Sequence, residues 1–250
     1  MKPVLRVRVS DLTFRFSAPA TEFELIVPRL ELRGGEFIAI YGPNGSGKTT
    51  LIRLLMHAAN AQSGRVDWAR GETTFLPVPG KDVVLTNAAG PFPHLTVSEN
   101  LALASQVARN HTGPVDYAQV AEQWGLSEFT NRLPHQLSAG QAQRVVLARA
   151  LLIGADAYLL DEVESAQSQQ WAWRIGSELG ALARAGRLVV VISHDPVWVA
   201  EHATRVIEIG TSQTHRSGTA PSSILYDGAV QEWPKLLELQ AKRAAEVTRS

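Results

Sequence analysis

Eight consecutive residues, Gly42-Pro43-Asn44-Gly45-Ser46-Gly47-Lys48-Thr49, fit the pattern G-x-x-x-x-G-K-[ST]. The glycines free the backbone to turn its N–H groups toward one point, and a helix starting there adds the partial positive charge of its N-terminus. A chain of phosphates is the ligand such a cradle suits. Lys48 is placed to neutralise β- and γ-phosphate oxygens. Thr49 offers a hydroxyl to Mg²⁺, an ion that keeps several waters and takes only one or two protein oxygens. Thr50 extends the cradle into the first helical turn. A Gly-rich turn carrying a solvated lysine would satisfy the bare string, but the flanking apolar and amphipathic runs favour the cradle.

Farther along, Ala157-Tyr158-Leu159-Leu160 runs straight into Asp161-Glu162. In a doubly wound sheet the chemistry sits at the carboxyl ends of strands. Asp161 is therefore expected to hold Mg²⁺ through water, and Glu162 to take a proton from a water attacking the γ-phosphate. Taken alone, the pair would also suit an acidic helix N-terminus.

These groups need a scaffold. Residues 37–41 form the continuous apolar run of a strand covered on both faces, and residues 49–57 follow as a helix with Leu51, Leu54 and Leu55 facing inward. Before them, Val7/Val9, Leu12/Phe14/Phe16 and Phe23/Leu25/Val27 alternate as half-buried antiparallel strands do, and residues 33–36 form a turn. Residues 58–90 carry one clear strand, at 82–86. Helical patterns at 97–109 and 115–125, with no convincing strand between 91 and 134, predict an inserted helical subdomain. Strand-length apolar runs return at 158–160 and 188–192, each after a helical stretch, which predicts crossover connections. Residues 211–228 are rich in Ser, Thr and Gly. Residues 233–247 read as a charged terminal helix whose Trp233, Leu236, Leu237 and Leu239 suit packing on the rest, the alternative being a partner-binding face.

The 250 residues suffice for one or two domains with a proper core. Lys and Arg number 24 against 24 Asp and Glu, a balance that argues against life on nucleic-acid phosphates. The absence of cysteine excludes disulfides, zinc knuckles and thiol catalysis, and fits a reducing compartment. The most apolar run, 188–192, falls far short of the ~18–20 residues of a membrane span. The first residues lack a hydrophobic block with a cleavage site. A cytoplasmic chain is expected.

Leu137-Ser138-Ala139-Gly140-Gln141, running into Gln143-Arg144-Val145-Val146-Leu147-Ala148-Arg149, resembles the signature motif of ATP-binding cassette (ABC) ATPases, with Ala139 in place of the first glycine of LSGGQ. Ser138, the Gly140 N–H and the helix start make a second anion site, although Ser-Ala-Gly-Gln is also an ordinary helix cap. Residues 189–195 resemble the family's switch-histidine strand, with His194 at its end. Phe92-Pro93-His94-Leu95-Thr96-Val97-Ser98-Glu99-Asn100-Leu101 resembles the segment where the helical subdomain meets a membrane subunit, and Phe16 matches the aromatic that stacks on adenine, although it would also serve as a plain core residue.

The resemblance implies an α/β P-loop ABC ATPase fold with a mixed central sheet, an N-terminal antiparallel β subdomain and an inserted helical subdomain at about 91–140. It places the cassette at 1–210 and a tail with a terminal helix at 211–250. It implies an ATPase using ATP and Mg²⁺, with Lys48, Glu162 and His194 catalytic and Thr49, Asn87 and Asp161 serving the metal. Gly42 to Thr50, Phe16 and Ser138, Ala139, Gly140 and Gln141 would bind nucleotide. Its partners would be a second ABC ATPase subunit, identical or a cousin, and an integral membrane permease docked near the helical subdomain, with no direct nucleic acid. The location is then the inner face of the cell membrane, with import slightly favoured over export.

Two positions depart from the family form. Asn87 stands where the Q-loop glutamine is expected, one methylene shorter with the same amide. After Glu162 the family's P-T-S-A-L-D becomes Val163-Glu164-Ser165-Ala166-Gln167-Ser168, which loses the aspartate at Ser168. These departures predict either a slow ATPase or half of a heteromeric pair, with ordinary drift that retains activity as the alternative. The competing class, soluble ABC ATPases acting on nucleic acid or ribosomes, carries long coiled coils, zinc-binding cysteines or paired cassettes, and this sequence has none of these.

Overall fold

The structure, a computed structural model, describes residues 4–18, 21–86, 90–107, 116–211 and 221–239. In chain order the strands are β1 (Leu5–Ala18), β2 (Thr21–Arg33), β3 (Phe37–Tyr41), β4 (Ser63–Arg70), β5 (Thr73–Phe75), β6 (Val83–Thr86), β7 (Ala157–Asp161), β8 (Leu188–Ile192), β9 (Arg205–Thr211) and β10 (Ser222–Ala229). The helices are α1 (Lys48–Leu55), α2 (Val97–Val107), α3 (Tyr117–Gln123), α4 (Ala139–Ile153), α5 (Gln169–Arg184) and α6 (Pro196–His202).

All ten strands join one sheet in the order β5-β4-β1-β2-β10-β9-β3-β8-β7-β6. Its β6-β7-β8-β3-β9 portion is parallel, and the β5-β4-β1-β2 portion is antiparallel. β3 shows why the sheet is buried on both sides. Phe37 and Ala39 face one core, shared with α4 and α5, whereas Ile38 and Ile40 face the other, shared with α1 and the antiparallel strands. The β-branched run Val189-Val190-Val191-Ile192 is buried at every residue, as suits a central parallel strand.

The N-terminal alternation is two long strands rather than three short ones. Val7 and Val9 are buried, then Leu12, so the inward face shifts by one residue. Asp11, at φ 49, takes up the shift, and β1 slips its register against β4 between Ser10 and Thr13. β4 and β5 escape the periodicity reading because only Val66 and Trp68 of β4 are buried, and β5 is largely exposed at the sheet edge.

The helix starts are locally encoded. Ser138 caps α4 and forms a capping box with Gln141, Ser168 caps α5, and Asp195 with Pro196 opens α6. α4 stops at Gly154 in the left-handed conformation.

The boundary expected after residue 210 falls inside the sheet. β10 pairs antiparallel with β9 and briefly parallel with β2, and Arg205 grips Asp227 with two hydrogen bonds of 2.6 and 2.8 Å. Trp233 is fully buried, edge-on to Tyr41 at 4.8 Å, with its Nε1–H donating to Glu208 at 2.8 Å. Residues 234–239 are helical. The Ser- and Gly-rich composition hid a strand whose inward contacts come from only a few residues. Among the described residues, no helix is long and apolar enough to cross a membrane.

Candidate active site

The cradle leaves the carboxyl end of β3 under tight steric rules. A side chain at Gly42 would put its Cβ 2.1 Å from the Ile209 carbonyl oxygen; one at Gly47, where φ is 98, would meet the Phe23 ring at 2.6 Å. Gly47 is also the N-cap of α1 and brings no capping oxygen, so the first-turn N–H groups gain no side-chain cap from it. A cavity of about 230 Å³ opens there, lined by Asn44, Gly45, Gly47, Lys48, Thr49 and Thr50. Asp161 and Glu162 reach it from the end of β7, and Ile192 and His194 from the end of β8. Ser46 Oγ is buried without a hydrogen-bond partner among the described residues. These groups suit a phosphate chain.

Lys48 is buried and folds onto its own loop, its Nζ donating to the carbonyls of Gly42 at 2.9 Å and Pro43 at 2.8 Å. Burial lowers its pKa, opposed by the nearby Glu162 and Asp161. Thr49 Oγ1 donates to Asp161 Oδ2 at 3.2 Å, and burial pushes the Asp161 carboxyl up despite that bond. Two hard oxygen donors side by side fit Mg²⁺, with its other positions left to water and phosphate. Among the described residues no cluster of three or more His, Asp or Glu could hold an ion without such help.

Glu162 sits at φ 47, a left-handed conformation that costs a non-glycine residue about 1–3 kcal/mol and persists where surrounding contacts over-determine it. Its N–H donates to the Ile192 carbonyl at 3.0 Å. Its carbonyl accepts from Gln143 Nε2 at 2.7 Å, Ser165 Oγ at 2.9 Å and Ser165 N–H at 3.3 Å. The carboxylate, thus aimed, has Oε1 3.1 Å from His194 Nε2. Two positions on, Glu164 is buried and accepts from the Ser193 hydroxyl, whose oxygen takes the Asp195 N–H at 3.1 Å. The other Glu164 oxygen has no hydrogen-bond partner among the described residues, and burial pushes this carboxyl up.

The structure gathers Asn44, Gly45, Gly47, Lys48, Thr49, Thr50, Asp161, Glu162 and His194 around one cavity. Gly42 and Pro43 contribute the carbonyls that hold Lys48. Ser138, Ala139, Gly140 and Gln141 lie outside its lining, at the start of α4. Phe16 is half exposed and does not line the cavity; the ring that does belongs to Phe23, its direct cross-strand partner. Phe23 takes that place because Gly47 leaves room for its ring. Asn87 lies outside the described residues. Sequence reasoning missed Phe23, Gln143, Glu164, Gln167 and Ser193 as site residues. Phe23 was legible as a strand-face aromatic, opposite Phe16 in the strand pairing.

The family model described as ABC transporter matches residues 27–165. The spermidine/putrescine import ATP-binding protein PotA of Shigella flexneri serotype 5b (strain 8401) is 30% identical over 219 residues, covering 83% of this chain and 58% of the relative. PotA of Escherichia coli (strain K12) is 32% identical over 200 residues, covering 78% and 53%. The chain thus spans little more than half the length of these relatives. In fold it matches the post-hydrolysis dimeric structure of the ATP-binding cassette MJ0796 bound to ADP and Pi, with a TM-score of 0.72 and 21% identity, covering 91% of this chain and 100% of that one. A bacterial Atm1-family ABC exporter with ATP bound gives a TM-score of 0.72 at 21% identity, covering 98% and 42%. With the family model covering more than half of its length, the chain belongs to the ABC transporter family, and its fold is that of the ATP-binding cassette.

Proposed function

We propose that this chain binds and hydrolyses ATP and, by pairing with a second cassette around the nucleotide, drives a membrane permease. The convergence of Lys48, Thr49, Asp161, Glu162 and His194 on one cavity carries this proposal. The cradle N–H groups and Lys48, released from its own carbonyls, bind and orient the triphosphate. Thr49 and Asp161 would hold Mg²⁺, which supplies charge neutralisation at the phosphates when bound. Glu162 takes the proton of the water that attacks the γ-phosphorus as the bond to the ADP oxygen breaks, giving ADP and phosphate. His194, with its Nε2 3.1 Å from the Glu162 carboxylate, orients that carboxylate and the phosphate side of the site.

Ser138 and Gly140 stand outside the lining of their own chain's cavity, which supports a role against nucleotide held by a facing cassette. The dimer described for the MJ0796 cassette supports the same arrangement. The permease is assigned to the helical subdomain. There Phe92 is partly exposed, its ring lies under the Arg149 guanidinium at 4.1 Å, and buried Asn100 holds the 92–96 turn by bonding Phe92, Leu95 and Thr96. The import function named for the PotA relatives favours uptake over export; cargo selection belongs to the membrane partner.

Purified chain with Mg-ATP should release phosphate, and E162Q should retain nucleotide while losing turnover. Co-purification of an integral membrane protein that is lost on substitution of Phe92 would support the transport role. Recovery with ribosomes or DNA instead would overturn it.

A further inference from the structure

Between Glu162 and the signature helix runs a short chain of amide hydrogen bonds. Gln167 Nε2 donates to the Gly140 carbonyl at 3.1 Å and to Gln143 Oε1 at 2.9 Å, and Gln143 Nε2 donates to the Glu162 carbonyl at 2.7 Å. A glutamine amide has one accepting and one donating end. Donation from Gln167 into Gln143 Oε1 therefore decides which end of Gln143 faces Glu162. Contact is close throughout: a Cβ on Gly140 would lie 2.6 Å from the Ala166 carbonyl oxygen. Gln167 also stands where the related loop form carries leucine, a side chain that could fill the space and donate nothing.

We propose that Gln167 is a positioning residue that acts through Gln143 on the left-handed backbone of Glu162 and ties the aim of that carboxylate to the placement of Gly140. Gly140 belongs to the segment assigned above to nucleotide on a facing cassette. The bridge thus links, within one chain, the water-activating group of one site to the anion-binding turn of the other. A shift of the α4 start on engaging a facing nucleotide would then be felt at Glu162 through two side chains. The hydrolytic consequence rests on the function proposed above, whereas the mechanical link does not.

The test uses full-length Q167L, Q167E, Q143L and the Q143L/Q167L pair. Amide hydrogen exchange is followed over residues 159–167 and 139–145, with phosphate release measured in parallel. Q167E keeps the shape and loses the donor, so it separates bonding from filling. Both Gln167 variants should speed exchange at residues 162–166 by about five- to tenfold, the factor that one neutral hydrogen bond carries. The double variant should exchange no faster than Q143L alone. Turnover should fall by a similar factor in kcat with KM unchanged. Wild-type exchange in Q167E, or a double variant equal to the product of the singles, overturns the proposal. Absence of turnover in the wild-type chain would sink the hydrolytic function and leave the exchange data to decide the link.

Discussion

His194 Nε2 lies 3.1 Å from Glu162 Oε1, and the pair is brought together by neighbouring parallel strands whose register sets Asp161 opposite Ile192. Neither residue has another charged partner within salt-bridge distance among the described residues. If Glu162 is the proton acceptor, E162Q should lower kcat by about 10²–10⁴-fold, the usual worth of a general base, with nucleotide affinity within a few-fold of wild type. H194A should lose less, because it removes the orienting contact and leaves the carboxylate. Single-turnover phosphate release beside equilibrium nucleotide binding separates the two effects. Wild-type turnover in E162Q would move the base elsewhere.

Lys48 spends its charge on the carbonyls of Gly42 and Pro43, and burial disfavours that charge. A triphosphate offers it a stronger partner, since bonds between ionised groups are roughly twice as strong as neutral ones. K48A should therefore weaken ATP binding by about ten- to a hundredfold, and should weaken adenosine binding hardly at all. Titration calorimetry with both ligands reads the difference; equal losses for both would show a collapsed loop instead.

Phe23 and Phe16 face each other across β1 and β2, yet only Phe23 lines the cavity. Base stacking on an aromatic ring is worth about 1–3 kcal/mol. If the cavity-lining ring carries the adenine, F23A should cost about tenfold or more in ATP affinity and F16A under threefold. The reverse order would return the role to Phe16 and mean that the ribbon moves when nucleotide binds.

How far the sequence exposed all this depends on the element. β3, β7 and β8 were legible to within a residue because a strand buried on both faces must be apolar throughout. The cradle was legible because phosphate binding needs specific residues at fixed spacing. β10 was not: Ser222 and Ile224 are inward but Ser223 and Gly228 give no alternation, and its place between β2 and β9 is set by partners far away in sequence. Gln143, Gln167 and Glu164 were illegible for another reason. Their roles are hydrogen bonds between segments about 20 to 30 residues apart, and no local pattern encodes those.

Trp233 turns the tail into part of the core. Removing a buried Trp side chain costs about 3–5 kcal/mol, and here Glu208 Oε2 would lose its indole donor as well. W233A should lower the urea midpoint accordingly, and W233F, which keeps a ring beside Tyr41, should recover most of the packing and leave the loss of one hydrogen bond. A W233A chain with wild-type stability would show that the tail is an appendage.

Glu164 gives the site a pH-dependent stability whose sign can be worked out. Burial raises its pKa above the ordinary 4.5, assisted by the negative Asp195 and Glu162 and opposed by the Ser193 hydroxyl. The native state thus holds the Glu164 proton more tightly than the unfolded chain does, so the unfolded state binds fewer protons from pH 4.5 upward. Stability must fall there as pH rises, until the native carboxyl has ionised. Glutamine at this position keeps an oxygen for Ser193 and does not titrate. The melting temperature of E164Q minus that of wild type should therefore be smallest near pH 4.5 and grow as pH rises, other groups cancelling between the two proteins. If that difference shrank instead, the Ser193 bond would be holding an ionised carboxylate, and Glu164 would stabilise the site through its charge rather than in spite of it.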